Sequence, residues 1–204
     1  MKIEVIHHAS IRIEDEKVIY FDPFDIKEER HDADYIFITH DHYDHYEESS
    51  IEKVKNANTK IIVPECLRDK NHYMVVEPNK EYMVDNLLFQ TIPSYNTDAK
   101  FHLKEMNYVG YNLLLKGVYY YIMGDTNRTP EANHVKTNIC FVPIGGTYTM
   151  DVEEASNYIN DLKPKVAIPI HYGKIIGDIS LGEDFKRRIN QDTKVMLMIK
   201  ENEK

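Results

Sequence analysis

Thr39-His40-Asp41-His42-Tyr43-Asp44-His45 concentrates three imidazoles and two carboxylates in seven residues. Residues 35–39, which lead into this stretch, form a short and mostly apolar run that indicates a buried strand. Residues 46–55, which come after it, are acidic at first and basic at the end, as is typical of a helix. We therefore expect the stretch to form the tight turn between a strand and a helix.

The same stretch favours a metal site. Imidazole and carboxylate are side chains that bind zinc, manganese and iron in proteins. A solvated polar loop that happens to be rich in histidine is the alternative, and a pair of histidines two residues apart would favour it. A His-x-His-x-Asp-His string at the end of a strand favours metal binding instead.

The length and composition restrict the class of protein. The 204 residues can form one sizeable core, so we expect a single domain over residues 1–204. The formal net charge is −9 and no basic run is longer than residues 186–188, which disfavours nucleic acid as a partner. The only two cysteines, Cys66 and Cys140, give no Cys-rich metal site or disulfide framework.

The location of the protein can also be predicted. Residues 2–6 have a strand pattern rather than the apolar core of a signal peptide, and no apolar stretch approaches membrane-spanning length. We therefore expect a cytoplasmic protein with no membrane partner. A homo-oligomer is compatible with the sequence, which does not determine the oligomeric state.

Short apolar runs and turn residues alternate along most of the chain. Strands are expected over residues 3–5, 11–13, 18–21, 35–39, 60–64, 73–76, 81–84, 87–92, 108–115, 118–123, 139–142, 166–170 and 194–199. Helices are expected over residues 46–55, 152–162 and 183–190, the second capped by Asp151. Both halves pass from strands to alternating strand and helix, which predicts an α/β fold with two facing sheets and helices outside.

Several predicted strands end in residues that can bind a metal. Strand 118–123 leads to Asp125, strand 166–170 leads to His171, and strand 87–92 leads to Asn96, with His102 a few residues beyond. Each ending alone could be an ordinary turn. Ligands in α/β proteins gather at strand ends, so several such endings together favour one site. A carboxylate such as Asp125 can bridge two cations, which an imidazole cannot.

These residues resemble the metallo-β-lactamase fold superfamily. More closely, the chain is similar to its small cytosolic branch of metal-dependent hydrolases, to which ascorbate-6-phosphate lactonase is related. The resemblance covers nearly the whole chain and rests on residues 8–10, 22–24, 39–45, 124–126, 143–150 and 168–173. It implies a four-layer αββα sandwich with two divalent metal ions at one edge of the facing sheets. Zinc is expected first, with manganese or iron as alternatives.

The resemblance also implies a ligand set. Its first metal would be held by His40 and His42, and its second by Asp44, His45 and His171, with Asp125 as the bridge. The superfamily usually has a further histidine for the first metal where this chain has Asn96. Either His102 supplies that imidazole, which we favour, or the first site is weak or completed by water. An amide oxygen is a poorer zinc ligand than imidazole.

Three further residues receive roles from the same resemblance. His8 corresponds to a histidine near the metals, so a role beside the ligands, toward the substrate or as a proton donor to the leaving group is expected. Asp22 resembles a buried aspartate that orients a ligand imidazole through its other ring nitrogen. Tyr148 could line the pocket or serve only in packing.

The expected activity is hydrolysis. Two divalent cations roughly 3.5–4 Å apart would supply hydroxide near neutral pH from a shared water. Asp44 would bind a metal and accept a hydrogen bond from this nucleophile. The resulting positive field suits a small anionic substrate, such as a lactone or a phosphodiester, although a neutral ester or amide is also compatible. The alternative is a sensor or binding protein that keeps a metal without turnover, and Asn96 is the feature that favours it.

Overall fold

Two β-sheets contain all the strands of the part of the chain that the computed structural model describes, residues 1–70, 73–97 and 101–199. The first sheet has six strands, in the order β1 (Lys2–His7), β2 (Ser10–Glu14), β3 (Val18–Phe21), β4 (Ala33–Phe37), β5 (Lys55–Pro64) and β6 (Met74–Val76). Neighbouring strands are antiparallel from β1 to β3 and parallel from β3 to β6.

The second sheet repeats this arrangement with seven strands. Their order along the sheet is that of the chain: β7 (Glu81–Val84), β8 (Leu87–Pro93), β9 (Val109–Leu115), β10 (Val118–Ile122), β11 (Ile139–Pro143), β12 (Val166–Ile170) and β13 (Lys194–Val195). Strands β7 to β10 are antiparallel neighbours, and β10 to β13 are parallel.

Apolar side chains from both sheets form the central core. Aromatic rings hold the two inner faces together: the ring centroid of Phe37 lies 5.1 Å from those of Phe21 and Phe89, and 5.0 Å from that of Tyr111. All four rings are buried. Edge-to-face and offset aromatic pairs of this kind add stability beyond the apolar area that they bury.

Helices cover the outer faces of the sheets. Helix α1 (Glu48–Val54) packs Ile51 and Val54 against the outer face of the first sheet. Helices α2 (Val152–Leu162) and α3 (Leu181–Arg188) cover the second sheet, with α2 capped as predicted by Asp151, whose carboxylate accepts the Glu154 N–H at 2.8 Å. The predicted α/β class and the αββα layering are thus confirmed. Of the helices in the described residues, none has the length and apolar character to cross a membrane.

The last predicted strand, residues 194–199, is wrong over most of its length. Strand β13 stops at Val195, after pairing with Val166 and Ala167 of β12. The Met196 N–H still donates to the Ala167 carbonyl at 3.0 Å. The next bond of a parallel ladder would need an N–H at residue 169, which is proline, so the pairing ends there.

Strand direction brings the candidate residues to one edge of the sandwich. In the first sheet β1, β3 and β4 run the same way, so their carboxyl ends, which lead to residues 8, 22 and 39–45, share an edge. In the second sheet β8, β10 and β12 also run together and lead to residues 94–96, 125 and 171. The two edges meet, as the side-chain distances below show.

Candidate metal centre

Four site residues, three that follow strands and one in a loop, have an unusual backbone conformation. His8, Asp22, His102 and His171 have φ values of 54°, 44°, 53° and 58°. Non-glycine residues seldom adopt this left-handed region, which costs free energy that the surrounding contacts must offset. Strained backbone of this kind is concentrated at functional sites. Here it occurs at residues whose side chains meet in one cluster.

One group of donor atoms combines three imidazoles with a carboxylate. Ligand atoms of His8, Asp44, His45 and His171 all lie within 4.8 Å of one another. Oδ2 of Asp44 is 3.2 Å from His8 Nε2, 4.0 Å from His45 Nε2 and 3.9 Å from His171 Nε2. All four residues are buried. We call this set the Asp44 group.

A second group consists of three imidazoles. Ligand atoms of His40, His42 and His102 lie within 4.8 Å of one another, and His102 Nε2 is 3.1 Å from His42 Nδ1. The structure therefore brings His102, and not only the His40–His45 turn, to this position. Its ring is 2% exposed although it lies in a loop. We call this set the His102 group.

Asp125 lies between the two groups. Its Oδ2 is 2.9 Å from His171 Nε2, and its Oδ1 is 3.2 Å from His45 Nε2. The same Oδ2 is 3.9 Å from His102 Nε2 and 4.0 Å from His40 Nε2. One carboxylate thus faces imidazoles of both groups, the position that a bridging ligand requires.

Hydrogen bonds behind the rings determine which ring nitrogen carries a proton. His45 Nδ1 donates to Asp22 Oδ2 at 2.8 Å. Thr39 Oγ1 donates to the same carboxylate at 2.6 Å, so its lone pair is free to accept from His40 Nδ1 at 2.9 Å. Neutral imidazole carries one N–H, so Nε2 of both His40 and His45 is left as a bare lone pair. Asp22 therefore contacts the ring nitrogen of His45 that lies away from the donor cluster.

Several ring nitrogens and one carboxylate oxygen that face the centre of the site lack a hydrogen-bond partner among the described residues. Among residues 1–70, 73–97 and 101–199, His40 Nε2, His45 Nε2, His171 Nε2 and Asp125 Oδ1 find no hydrogen-bond partner. Buried polar atoms without partners are costly, and a bare lone pair that faces a carboxylate at 3–4 Å repels it, so without metal such a cluster must bind a proton. Divalent cations would satisfy all these atoms at once. The donor set therefore fits the expected metals by its own chemistry.

The pKa values depend on burial and on the carboxylates. Burial holds the pKa of His40 well below its ordinary value and lowers that of His102 to about 4, which favours the neutral, metal-binding form. Burial alone would lower the pKa of His45, but Asp125 and Asp22 raise it well above the usual range. Burial would raise the pKa of Asp125, but His171 and His45 hold it well below its usual value. Without metal, the proton of this cluster belongs on His45.

Asn96 and Tyr148 lie behind the His102 group. The Asn96 amide donates from Nδ2 to the Tyr148 carbonyl at 2.9 Å, and its Oδ1 is 3.0 Å from His102 Nδ1. The Tyr148 ring packs edge to face on Phe101, with ring centroids 5.2 Å apart. Asn96 thus contacts the ring of His102 from the side away from the donor cluster.

Sequence reasoning misses three supporting residues. Thr39 links Asp22 to His40, and Ser94 Oγ donates to the Asp125 carbonyl at 2.9 Å. A Cβ on Gly145 would lie 2.3 Å from the His171 carbonyl oxygen, so only glycine fits there. The position of Thr39, directly before the histidine string, could have indicated its role. For Ser94 and Gly145, the sequence shows only that each follows a predicted strand.

Comparison with known proteins identifies the family. The model of the beta-lactamase superfamily domain matches residues 2–171, and the chain belongs to this family. Its relatives include a metal-dependent hydrolase of Thermococcus onnurineus, 27% identical over 97% of this chain and 96% of that protein. Another, from Lysinibacillus sphaericus, is 30% identical over 84% of this chain and 85% of its own length.

Solved structures agree with this assignment. A putative metal-dependent hydrolase from Parabacteroides distasonis superposes with a TM-score of 0.84 at 28% identity, covering 97% of this chain and 93% of its own. A putative Zn-dependent hydrolase of the metallo-beta-lactamase superfamily from Thermotoga maritima has a TM-score of 0.67 at 21% identity, covering 96% of each chain. The second likeness shows the fold alone. The predicted membership of the superfamily is confirmed.

Proposed function

We propose that this protein, which has a beta-lactamase superfamily domain, is a metal-dependent hydrolase that uses two divalent cations. The His102 group would hold the first cation, and Asp44, His45 and His171 the second. The observation that carries the proposal is the position of Asp125, whose two oxygens lie 3.2 Å and 2.9 Å from the imidazoles of His45 and His171 and whose Oδ2 also faces the His102 group. Its relatives named as metal-dependent hydrolases support the reaction class.

The chemistry needs an activated water and a polarised substrate. Two divalent cations, when bound, lower the pKa of a water toward neutrality and polarise the oxygen of a carbonyl or phosphoryl group. Zinc is the first choice because imidazole dominates the donor set, and manganese or iron is the alternative.

The chain's own residues would orient these components. Asp44 would bind the second cation through one oxygen and accept a hydrogen bond from the attacking water through the other. His8, whose Nε2 is 3.2 Å from Asp44 Oδ2, would hold that carboxylate in place or return a proton to the leaving group. The buried histidines would exclude bulk water from the reacting atoms.

The charge of the filled site suggests the substrate class. Two divalent cations bring four positive charges, against two negative charges from Asp44 and Asp125. A protein of formal net charge −9 would then have a locally positive centre. Such a field favours a small anionic ester, lactone or phosphodiester.

Metal counting combined with an activity screen tests the proposal. The purified protein would be loaded with zinc, its metal content measured by mass spectrometry, and its hydrolysis of a nitrophenyl phosphodiester, nitrophenyl esters and simple lactones monitored. We expect about two zinc ions per chain, as in two-metal sites generally, and turnover of at least one class. Asp125→Asn should lose both the second ion and turnover.

The exposed carboxylate of Asp161 offers a matched control, because within the described residues its ion pair is with Arg128 at 2.7 Å, away from the donor cluster. Asp161→Asn, purified in the same way, should keep both metal and activity. One tightly held zinc with no turnover of any class would contradict the hydrolase and support the sensor alternative.

A further inference from the structure

Asn96 and His102 are joined twice. The Asn96 backbone N–H donates to the His102 carbonyl at 2.8 Å, and the Asn96 side-chain Oδ1 lies 3.0 Å from His102 Nδ1. Both residues are buried, at 6% and 2% exposure. His102 also has a φ of 53°, which turns its side chain back toward the strand that precedes Asn96. The two residues therefore form one unit at the end of β8.

The orientation of the amide is determined by its other partner. A backbone carbonyl can only accept, so the group of Asn96 that faces the Tyr148 carbonyl at 2.9 Å must be the NH₂. The oxygen of the amide then faces His102 Nδ1, which must donate. The assignment rests on the hydrogen-bond network and leaves no freedom to exchange the two ends of the amide.

The orientation of the amide also fixes the tautomer of His102. A neutral imidazole that carries its proton on Nδ1 presents a bare lone pair at Nε2. That Nε2 faces His42 Nδ1 at 3.1 Å and Asp125 Oδ2 at 3.9 Å. The lone pair of His102 therefore faces the other residues of the cluster, where it can bind a cation.

We propose that Asn96 is a positioning residue that makes His102 the third donor of the first metal site and does not bind the metal itself. The Tyr148 carbonyl aligns the Asn96 amide, and the amide oxygen holds the His102 ring with Nε2 toward His40 and His42. This inference rests on the proposed function only for the presence of the metal. A binding protein without turnover would use the same relay, by which we mean the hydrogen bonds that link the Tyr148 carbonyl, the Asn96 amide and the His102 ring.

Zinc affinity in a double-mutant cycle tests the proposal. The full-length protein and the variants Asn96→Ala, His102→Ala and Asn96→Ala/His102→Ala would be titrated with zinc against a chromophoric chelator. We expect Asn96→Ala to weaken the first site by about 10- to 100-fold, as losses of outer hydrogen bonds to ligands do. Because Asn96 acts through His102, the double variant should be no weaker than His102→Ala alone.

Two further variants separate positioning from general loss of structure. Asn96→Asp keeps an acceptor oxygen toward His102 but loses the donor toward the Tyr148 carbonyl, so it should retain more affinity than Asn96→Ala and less than the unmodified protein. Asn112→Ala removes a side-chain amide that is 1% exposed and that donates to the Lys136 carbonyl, and this variant should bind zinc like the unmodified protein. The proposal would be overturned if the losses of zinc affinity in Asn96→Ala and His102→Ala added up in the double variant. Full zinc affinity in Asn96→Ala would also overturn it.

A spectroscopic signature provides an independent readout. In ¹⁵N spectra of histidine-labelled, zinc-loaded protein, His102 should show a protonated Nδ1 and a zinc-bound Nε2, and Asn96→Ala should lose this pattern. A zinc-bound Nδ1, or a pattern unchanged in Asn96→Ala, would refute the relay. Neither result depends on hydrolysis, so failure to find turnover would contradict the proposed function and leave this inference standing.

Discussion

Asp22 accepts a 2.8 Å hydrogen bond from His45, and both residues are almost completely inaccessible to solvent. The same carboxylate accepts the backbone N–H of Thr39 at 2.7 Å and its hydroxyl at 2.6 Å. Asp22 comes from the end of β3, whereas Thr39 and His45 begin and end the turn after β4. One buried carboxylate therefore fixes both the shape of the histidine turn and the orientation of its last imidazole.

Replacement of Asp22 should weaken both metal binding and the fold. In Asp22→Asn the shape of the side chain is kept, but one acceptor oxygen becomes a donor, so His45 Nδ1 or Thr39 loses its partner. We expect zinc affinity at the Asp44 group to fall by about 10- to 100-fold, and the free energy of unfolding by about 1–3 kcal/mol. Chelator competition and urea unfolding measure the two effects. Zinc binding as tight as in Asp161→Asn would contradict the role assigned to Asp22.

Gly145 allows His171 to lie against the end of β11. A Cβ at this position would be 2.3 Å from the His171 carbonyl oxygen and 3.1 Å from its Nδ1. Gly145→Ala should therefore displace His171 and weaken zinc binding at the Asp44 group. Gly117→Ala is the matched control, because Gly117 has a φ of 79° but no atom within 4 Å of its Cβ position among the described residues.

The control should lose stability through backbone strain, of order 1–3 kcal/mol, and bind zinc normally. Calorimetry with zinc would compare the two variants. Equal zinc affinities in Gly145→Ala and Gly117→Ala would show that the close approach of Gly145 does not position His171.

The Asp44 carboxylate should depend on His8 for its orientation. His8 is 3% exposed, and its Nε2 lies 3.2 Å from Asp44 Oδ2. In His8→Ala we expect kcat for whichever substrate the screen identifies to fall by about 10- to 100-fold, because the carboxylate loses its neighbour. His7→Ala changes the adjacent histidine, whose ring packs 5.7 Å from that of Phe24, and should affect kcat little. A larger loss in His7→Ala than in His8→Ala would contradict this assignment.

Acid should destabilise the metal-free protein in a defined window. Burial lowers the pKa of both His8 and His102 from 6.5 to about 4. Between these pH values the unfolded chain binds protons that the folded chain does not, so the free energy of unfolding falls as the pH falls. The slope should approach 1.4 kcal/mol per pH unit for each such histidine. His45, whose raised pKa keeps it charged in the folded state, adds a slope of opposite sign near pH 6.5 and none well below that pH, where it is charged in both states.

Urea unfolding of chelator-treated protein from pH 7 to pH 4.5 measures this slope. His102→Gln should reduce it by about one proton equivalent. The exposed His134 is the control position, and His134→Gln should leave the slope as it is. A slope that is unaffected by His102→Gln would contradict the effect of burial on its pKa.

The sequence predicts the fold well because short apolar runs indicate the strands and the polar residues after them indicate where the strands end. The two sheets, the Asp151 cap and the meeting of the histidine turn with Asp125 and His171 can all be inferred from short apolar runs and the polar residues at their ends. The prediction of strand 194–199 is wrong because its pairing depends on Pro169 in another strand, a constraint that the run itself does not show.

The sequence leaves the choice between Asn96 and His102 open for a physical reason. Which side chain reaches the cluster depends on the left-handed backbone at His102 and on a hydrogen bond to the Tyr148 carbonyl, contributed by a distant loop. No local pattern encodes either feature. The sequence makes Tyr148 a candidate through its ring, whereas its backbone oxygen makes the contact with Asn96.

Anomalous diffraction from crystals of the zinc-loaded protein would locate the cations. We expect two peaks roughly 3.5–4 Å apart. One should lie within bonding distance of His40, His42 and His102, the other of Asp44, His45 and His171, with Asp125 reaching both. A single peak, or two peaks with Asp125 bonded to neither, would contradict a paired-cation centre.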